Sequence, residues 1–179
     1  MLLPRITRRV PAVLVSVVVF GVLQGIVIAI VLAVLLFFRR SWQPRGTVLG
    51  RVEGLQGWHS IEEYPAAHEL PGIVVFRWEA PIFFANCSAF RAQVRRVVAS
   101  RHPAWVVLQC EAVTDIDVSA AQMLEQFDRE LNGSGIHMAF VAMRSRLQDQ
   151  VQRYGVLKTL DGEPFYATLE PGLTAVQQE

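Results

Sequence analysis

No charged side chain occurs between Val10 and Phe38, and Gln24 is the most polar residue of that run. As one helix the run would extend roughly 43 Å at 1.5 Å per residue, against about 30 Å of bilayer hydrocarbon. Two arrangements fit: a single tilted span, or two short helices that break around Gly21–Gly25 and turn back. Arginines flank both ends, with Arg5, Arg8 and Arg9 before the run and Arg39 and Arg40 after it. Positive residues prefer the cytoplasmic side, so a re-entrant hairpin satisfies both clusters and a single span only one. Such a hairpin is tolerated at membrane depth only where other protein covers its opened backbone. A secretory signal peptide fits poorly, because the run exceeds a normal apolar core and no small-x-small cleavage site follows it. Gly21 and Gly25 have the spacing that lets membrane helices approach closely, although glycine is common in such helices without that role.

Charge is unevenly distributed. Residues 1–44 carry five arginines and no acid, whereas the whole chain is only +1, so the remainder is net acidic. A basic, apolar segment joined to a mildly acidic globular part points to a membrane tether and away from nucleic acid. The two cysteines, Cys87 and Cys110, are too few for a disulfide framework and read as small core residues. His59, His68, His102 and His137 are scattered without metal-ligand spacing. No nucleophile elbow, phosphate-binding loop or dinucleotide fingerprint occurs. The expectation is a protein that is not an enzyme and has neither metal nor cofactor.

Residues 41–71 read as a linker, rich in proline and glycine and without a sustained period. Trp42, just past Arg39 and Arg40, suits the headgroup zone. Trp58 and Tyr64 are expected to pin the linker to a neighbouring surface. From Gly72 the pattern becomes α/β. Ile73–Trp78 reads as a strand, with a turn at Glu79-Ala80-Pro81 and a return strand from Ile82 to Ala85, a β-hairpin. Ser88–Ser100 is helical, with Phe90, Val94, Val97 and Val98 on one face. Trp105–Cys110 is a strand and Val118–Leu131 a helix, whose buried stripe is Ala120, Leu124, Phe127 and Leu131. Glu125 and Arg129 form an i,i+4 pair on its outer face. Asn132-Gly133-Ser134-Gly135 ends that helix with residues that tolerate positive φ. Ile136–Ala142 is a third buried strand. Ser145 is expected to cap a helix through Tyr154, with Leu147, Val151 and Tyr154 inward and Gly155 as terminator. Phe165–Ala167 is a last short strand, and the tail carries a final helical turn. Strands alternating with helices of this length give an open sheet covered by helices.

The stretch Ala104–Leu124, AWVVLQCEAVTDIDVSAAQML, concentrates the candidate chemistry. A buried strand leads into a loop with three carboxylates (Glu111, Asp115, Asp117) and then into a helix N-terminus. Asp117 can accept hydrogen bonds from the first turn and favours the positive end of the helix dipole. Asp115, Asp117 and Ser119 read either as a phosphate, nucleotide or partner contact or as ordinary capping, and capping is the simpler reading. Arg91, Arg95 and Arg96, with Arg101 close behind, form a basic patch on the preceding helix. It suits anionic lipid or acidic loops, or is a solvated helix face.

With these residues in place, the chain resembles the C-terminal end of SulP-type (SLC26-like) anion and sulfate transporters. The resemblance rests on GVLQGIVIAIVLAVLLFFRR as the end of the last membrane helices, LGRV in the linker and PGIVVFRWEAPIFFAN opening the soluble domain. VTDIDVSAAQML resembles the signature loop and helix of a STAS domain. The order of the pieces is more specific than any one of them. The resemblance implies a STAS-like mixed β-sheet covered by α-helices, preceded by a transmembrane or re-entrant helical segment. It divides the chain into terminal membrane helices (1–40), a linker (41–71) and a cytoplasmic STAS domain (72–179).

The implied function is a regulatory and interaction module of a transporter in the cell's inner (plasma) membrane. Its implied partners are membrane lipid, the remaining transporter membrane domain or another protein, and a second copy of the chain as a homodimer. Two departures from the family stand out. Most membrane helices of such a transporter are absent, so the chain reads as a truncated or split part that does not move anions alone. Soluble anti-sigma-factor antagonists carry a phosphorylatable serine directly after the signature aspartate, whereas Val118 follows Asp117 here and the hydroxyl comes at Ser119. That departure weakens the alternative of a phosphorylation- or nucleotide-responsive switch. A tether holding an unrelated partner at the membrane is a further alternative.

Overall fold

The computed structural model describes residues 22–42, 44–155 and 165–178. The chain divides into two units, Met1–Trp42 and Gln43–Glu179.

In the first unit, helix α1 runs Val22–Trp42. It passes through Gly25 without a break. Gly21 and the earlier part of the uncharged run lie outside the described residues, and with them the choice between one span and a hairpin. Among the described residues no helix is long and apolar enough to cross a membrane. Arg39 and Arg40 lie near the C-terminal end of α1. Phe38 is the last apolar residue before them.

The second unit is built on one sheet. Its strands are β1 (Gly46–Arg51), β2 (Trp58–Ser60), β3 (Ile73–Trp78), β4 (Trp105–Gln109), β5 (His137–Val141) and β6 (Phe165–Tyr166). They lie in the order β2-β1-β3-β4-β5-β6. β1 pairs antiparallel with both β2 and β3, and the remaining neighbours are parallel. The helices are α2 (Cys87–Arg101), α3 (Val118–Asn132), α4 (Ser145–Arg153) and α5 (Leu169–Val176).

Alternation along each strand divides the core between two faces. Val74, Phe76, Trp78, Val106, Leu108, Met138 and Phe140 point to one face, where they meet Phe90 and Val94 of α2, Leu124 and Phe127 of α3, and Leu147 and Val151 of α4. Ile73, Val75, Val107, Ala139 and Val141 point to the other, which Leu169, Leu173 and Val176 of α5 cover. Burial on both faces explains why β3, β4 and β5 read as near-continuous apolar runs.

Six expectations need correction. Residues 41–71 are not an irregular linker, since they supply β1 and β2, and Leu49 is buried against the α5 face. The expected return strand at Ile82–Ala85 does not form. Ile82 makes an isolated parallel bridge to Ile116, and Asn86 folds the following residues into a turn by accepting from Phe83 N–H (2.9 Å) and donating to Pro81 C=O (2.8 Å). Helix α4 is preceded by Arg144 at the N-cap, without a side-chain cap, so Ser145 is its first helical residue. Tyr154 is exposed rather than inward. In the turn after α3, Gly133 has φ −61°, and Gly135 supplies the positive φ of 72°. The tail helix α5 is eight residues, longer than one turn.

Other expectations hold. The α3 stripe of Ala120, Leu124, Phe127 and Leu131 is buried, and Arg129 pairs with Glu125. Cys110 is buried, and burial pushes its thiol up to about 12, so it serves as an inert core residue. Trp58 anchors its segment by donating to Glu170 Oε1 at 3.1 Å, beneath the Arg51 guanidinium.

Candidate functional site

The loop from Cys110 to Asp117 leaves β4 toward α3. It is held from below by Val113 and Ile116, both fully buried. Its edge is held by Ile82. The Ile82 N–H donates to Asp115 C=O (3.0 Å), and the Asp117 N–H donates to Ile82 C=O (3.2 Å). This pairing brings the PIFFAN segment against the start of α3.

Asp117 is the N-cap of α3, with extended backbone. Its Oδ1 accepts from Ala120 N–H at 2.7 Å and its Oδ2 from Phe84 N–H at 2.9 Å. The first bond satisfies a donor that a helix start leaves open. The second fastens the PIFFAN turn to the helix. Both oxygens are therefore engaged, and the carboxylate already occupies the positive end of the helix. A second anion placed there would meet like charge.

Asp115 is exposed, but its carboxylate is also engaged. Its Oδ1 accepts from its neighbour Ile116 N–H and from Gln150 Nε2, both at 3.0 Å. Gln150 donates as well to Ile116 C=O at 2.9 Å, tying α4 to the loop. Glu111 accepts from Gln109 Nε2 at 3.3 Å, and Gln109 Oε1 accepts from Arg77 Nε at 2.5 Å.

What remains outward differs in character. Ser119 is exposed, and its hydroxyl makes no hydrogen bond among the described residues. Val118 is 51% exposed and Phe84 71% exposed. Sequence reasoning missed Phe84. The signal was present in two adjacent phenylalanines, which cannot both point into one core from an extended segment.

The expected basic patch separates into two parts. Arg91 pairs with Glu130, and Arg95 reaches the same carboxylate at 2.5 Å. Arg91 also lies over the Phe127 ring, 5.7 Å from its centroid. The hydrogen bond from Arg91, reinforced by Arg95, holds the Glu130 carboxyl below the usual carboxylate range. These two arginines thus join α2 to α3. Arg96 is exposed and has no ion-pair partner among the described residues. Arg101 pairs with Glu69 at 2.6 Å. Among the described residues no three metal-ligating side chains cluster.

Comparison with known proteins agrees with this geometry. The sequence profile described as the STAS domain matches residues 64–171. A probable sulfate transporter of Mycobacterium tuberculosis is 35% identical over 146 residues, which cover 80% of this chain and 25% of that protein. The chain thus spans about a quarter of the length of that curated relative. Among solved structures, the murine Solute Carrier 26 family member A9 anion transporter in its inward-facing state superposes with a TM-score of 0.72 at 17% identity, over 87% of this chain and 26% of that one. An anti-sigma factor antagonist from Mycobacterium paratuberculosis shares the fold with a TM-score of 0.52 at 24% identity, over 62% of this chain and 90% of that one. The signature loop, the helix it caps and the sheet behind them are those of one family: the chain belongs to the STAS domain family, with homology to SulP-type sulfate transporters.

Proposed function

We propose that the chain serves a SulP-type transporter of sulfate or a related anion as its STAS module, contacting and regulating the membrane domain from the cytoplasmic side of the inner membrane. The observation that carries this reading is the surface at the start of α3. Phe84, Val118 and Ser119 are exposed around an aspartate whose two oxygens are already used internally. A loop braced in this way offers apolar area and a hydroxyl to a protein partner while its charges maintain its shape.

The transporter context is supported by the identity to the mycobacterial protein. In this reading residues 1–40 are membrane helices that bring lipid and the remaining transporter membrane domain within reach. Anion movement is assigned to parts of such transporters that this chain does not match, and a second copy of the chain is a further partner. The domain carries no catalytic step.

The free Ser119 hydroxyl favours one second reading, a switch set by phosphorylation at that residue. A phosphate there would add charge beside Asp117, so it would act by repelling a partner rather than by ordering the loop.

The test is co-purification of the full chain with the membrane domain of the mycobacterial relative. Ser119→Glu and Phe84→Glu should each weaken association about tenfold or more, with unchanged melting. Association as strong as wild type in both variants would remove this surface from the interface.

A further inference from the structure

Arg45 and Arg96 line one open groove, of about 580 Å³, together with Pro44, Gly46, Gln93 and Glu62. Both arginines are exposed and without a carboxylate partner among the described residues, unlike Arg91, Arg95 and Arg101. Their relative placement is fixed by Gln93. Its Oε1 accepts from Gly46 N–H at 2.8 Å, and its Nε2 donates to Pro44 C=O at 2.9 Å. The backbone that carries Arg45 is thereby clamped to α2, which carries Arg96.

Gly46 keeps this junction tight. A Cβ there would lie 2.0 Å from Phe76 Cζ, and Phe76 is buried at 1% exposure. Two free guanidinium groups on a rigid junction suit a phosphate, which guanidinium donors engage in fork geometry.

We infer that this groove binds the headgroup phosphate of an anionic lipid through Arg45 and Arg96. The inference rests on the membrane attachment proposed above. Arg45 is three residues beyond Trp42, so covalent geometry alone keeps its Cα within about 11 Å of the end of α1. Arg39 and Arg40 precede it in sequence and add two further positive charges to the same stretch of chain. Glu62 is the one acid among the groove's lining residues, and it opposes the two arginines. A basic residue near an anionic surface contributes about fivefold in affinity.

The test uses the full chain in a zwitterionic detergent, loaded with equal phosphatidylcholine and phosphatidylglycerol. Native mass spectrometry then counts the lipids retained. Wild type should retain phosphatidylglycerol preferentially. Arg45→Gln and Arg96→Gln should each lower that preference about fivefold, and Glu62→Gln should raise it by a similar factor. Arg153→Gln, on α4, should leave it unchanged. Equal retention of the two lipids, or a preference that survives in both arginine variants, would overturn the inference. Displacement of the lipid by millimolar inorganic phosphate would reassign the groove to free anions and overturn it equally. Attachment is read separately, by pelleting with phosphatidylcholine vesicles, which depends on the apolar segment and not on this groove.

Discussion

Asp117 does two jobs at once, and both are visible in its hydrogen bonds to Ala120 and Phe84. Asp117→Ala should therefore destabilise the domain by about 2 kcal/mol, more than a simple cap loss, since a helix donor and a turn donor are left open together. Ser119→Ala should fall within about 0.5 kcal/mol of wild type, because its hydroxyl is exposed and free. Thermal melting of the two variants checks the pair, and equal losses would mean that the aspartate is not bracing the turn. Sequence chemistry was enough to find Asp117, because an aspartate before an amphipathic run announces a cap. It was not enough to find Phe84. Two adjacent phenylalanines signal that one turns outward, but which surface it joins is set by the Ile82–Ile116 bridge, a contact between segments far apart in the chain.

Among the elements, the strands buried on both faces and the short edge strand β6 were legible, whereas β1 and β2 were not. β4 places Val107 at 0% exposure on the α5 face, whereas Trp105 at its start is only half-buried beside the His137 ring. Val107→Asp should abolish folding, since it buries an unpaired charge. Trp105→Asp should yield a weakened but folded domain, and circular dichroism separates the two outcomes. β1 escaped notice because two of its six residues are glycine, Gly46 and Gly50, and because it is completed only by pairing with β2 and β3.

Elements are also joined by charge. Glu130 links α3 to α2, and Glu170 links α5 to β1 and β2, where hydrogen bonds from Arg51 and then Trp58 lower its pKa. Lowered carboxyls contribute stability that is complete above their ordinary value of 4.5 and is lost as pH falls through the lowered one. Glu130→Gln should thus flatten the fall of melting temperature on acidification below about pH 4.5, most visibly at low salt. An unchanged acid slope would show that the pairs are idle in solution.

The whole second unit behaves as one folding body only if the residues before Gly72 belong to it. Val48 and Leu49 are buried at 6% and 1%, and β1 shields one edge of β3. A fragment beginning at Pro44 should melt cooperatively, whereas one beginning at Pro71 should aggregate or melt at a markedly lower temperature, having exposed a central strand's edge. Equal stability would return residues 44–70 to the role of a linker. The α/β class, the sheet covered by helices and the Asp117 cap were readable from periodicity and capping, and the signature loop from its resemblance to STAS domains. The extent of the domain was not, because β1 and β2 are completed by pairing across the sheet.

Regulation of a sulfate-type transporter through the surface around Ser119, as proposed above, is open to a functional readout. The direct measurement is sulfate uptake by cells that carry the mycobacterial relative with its matching quarter replaced by the matching residues of this chain. Uptake is expected with the wild-type graft, with a several-fold loss in Ser119→Glu at equal protein abundance and equal melting. Uptake that is the same with the graft, with its Ser119→Glu form and with that quarter deleted would contradict it.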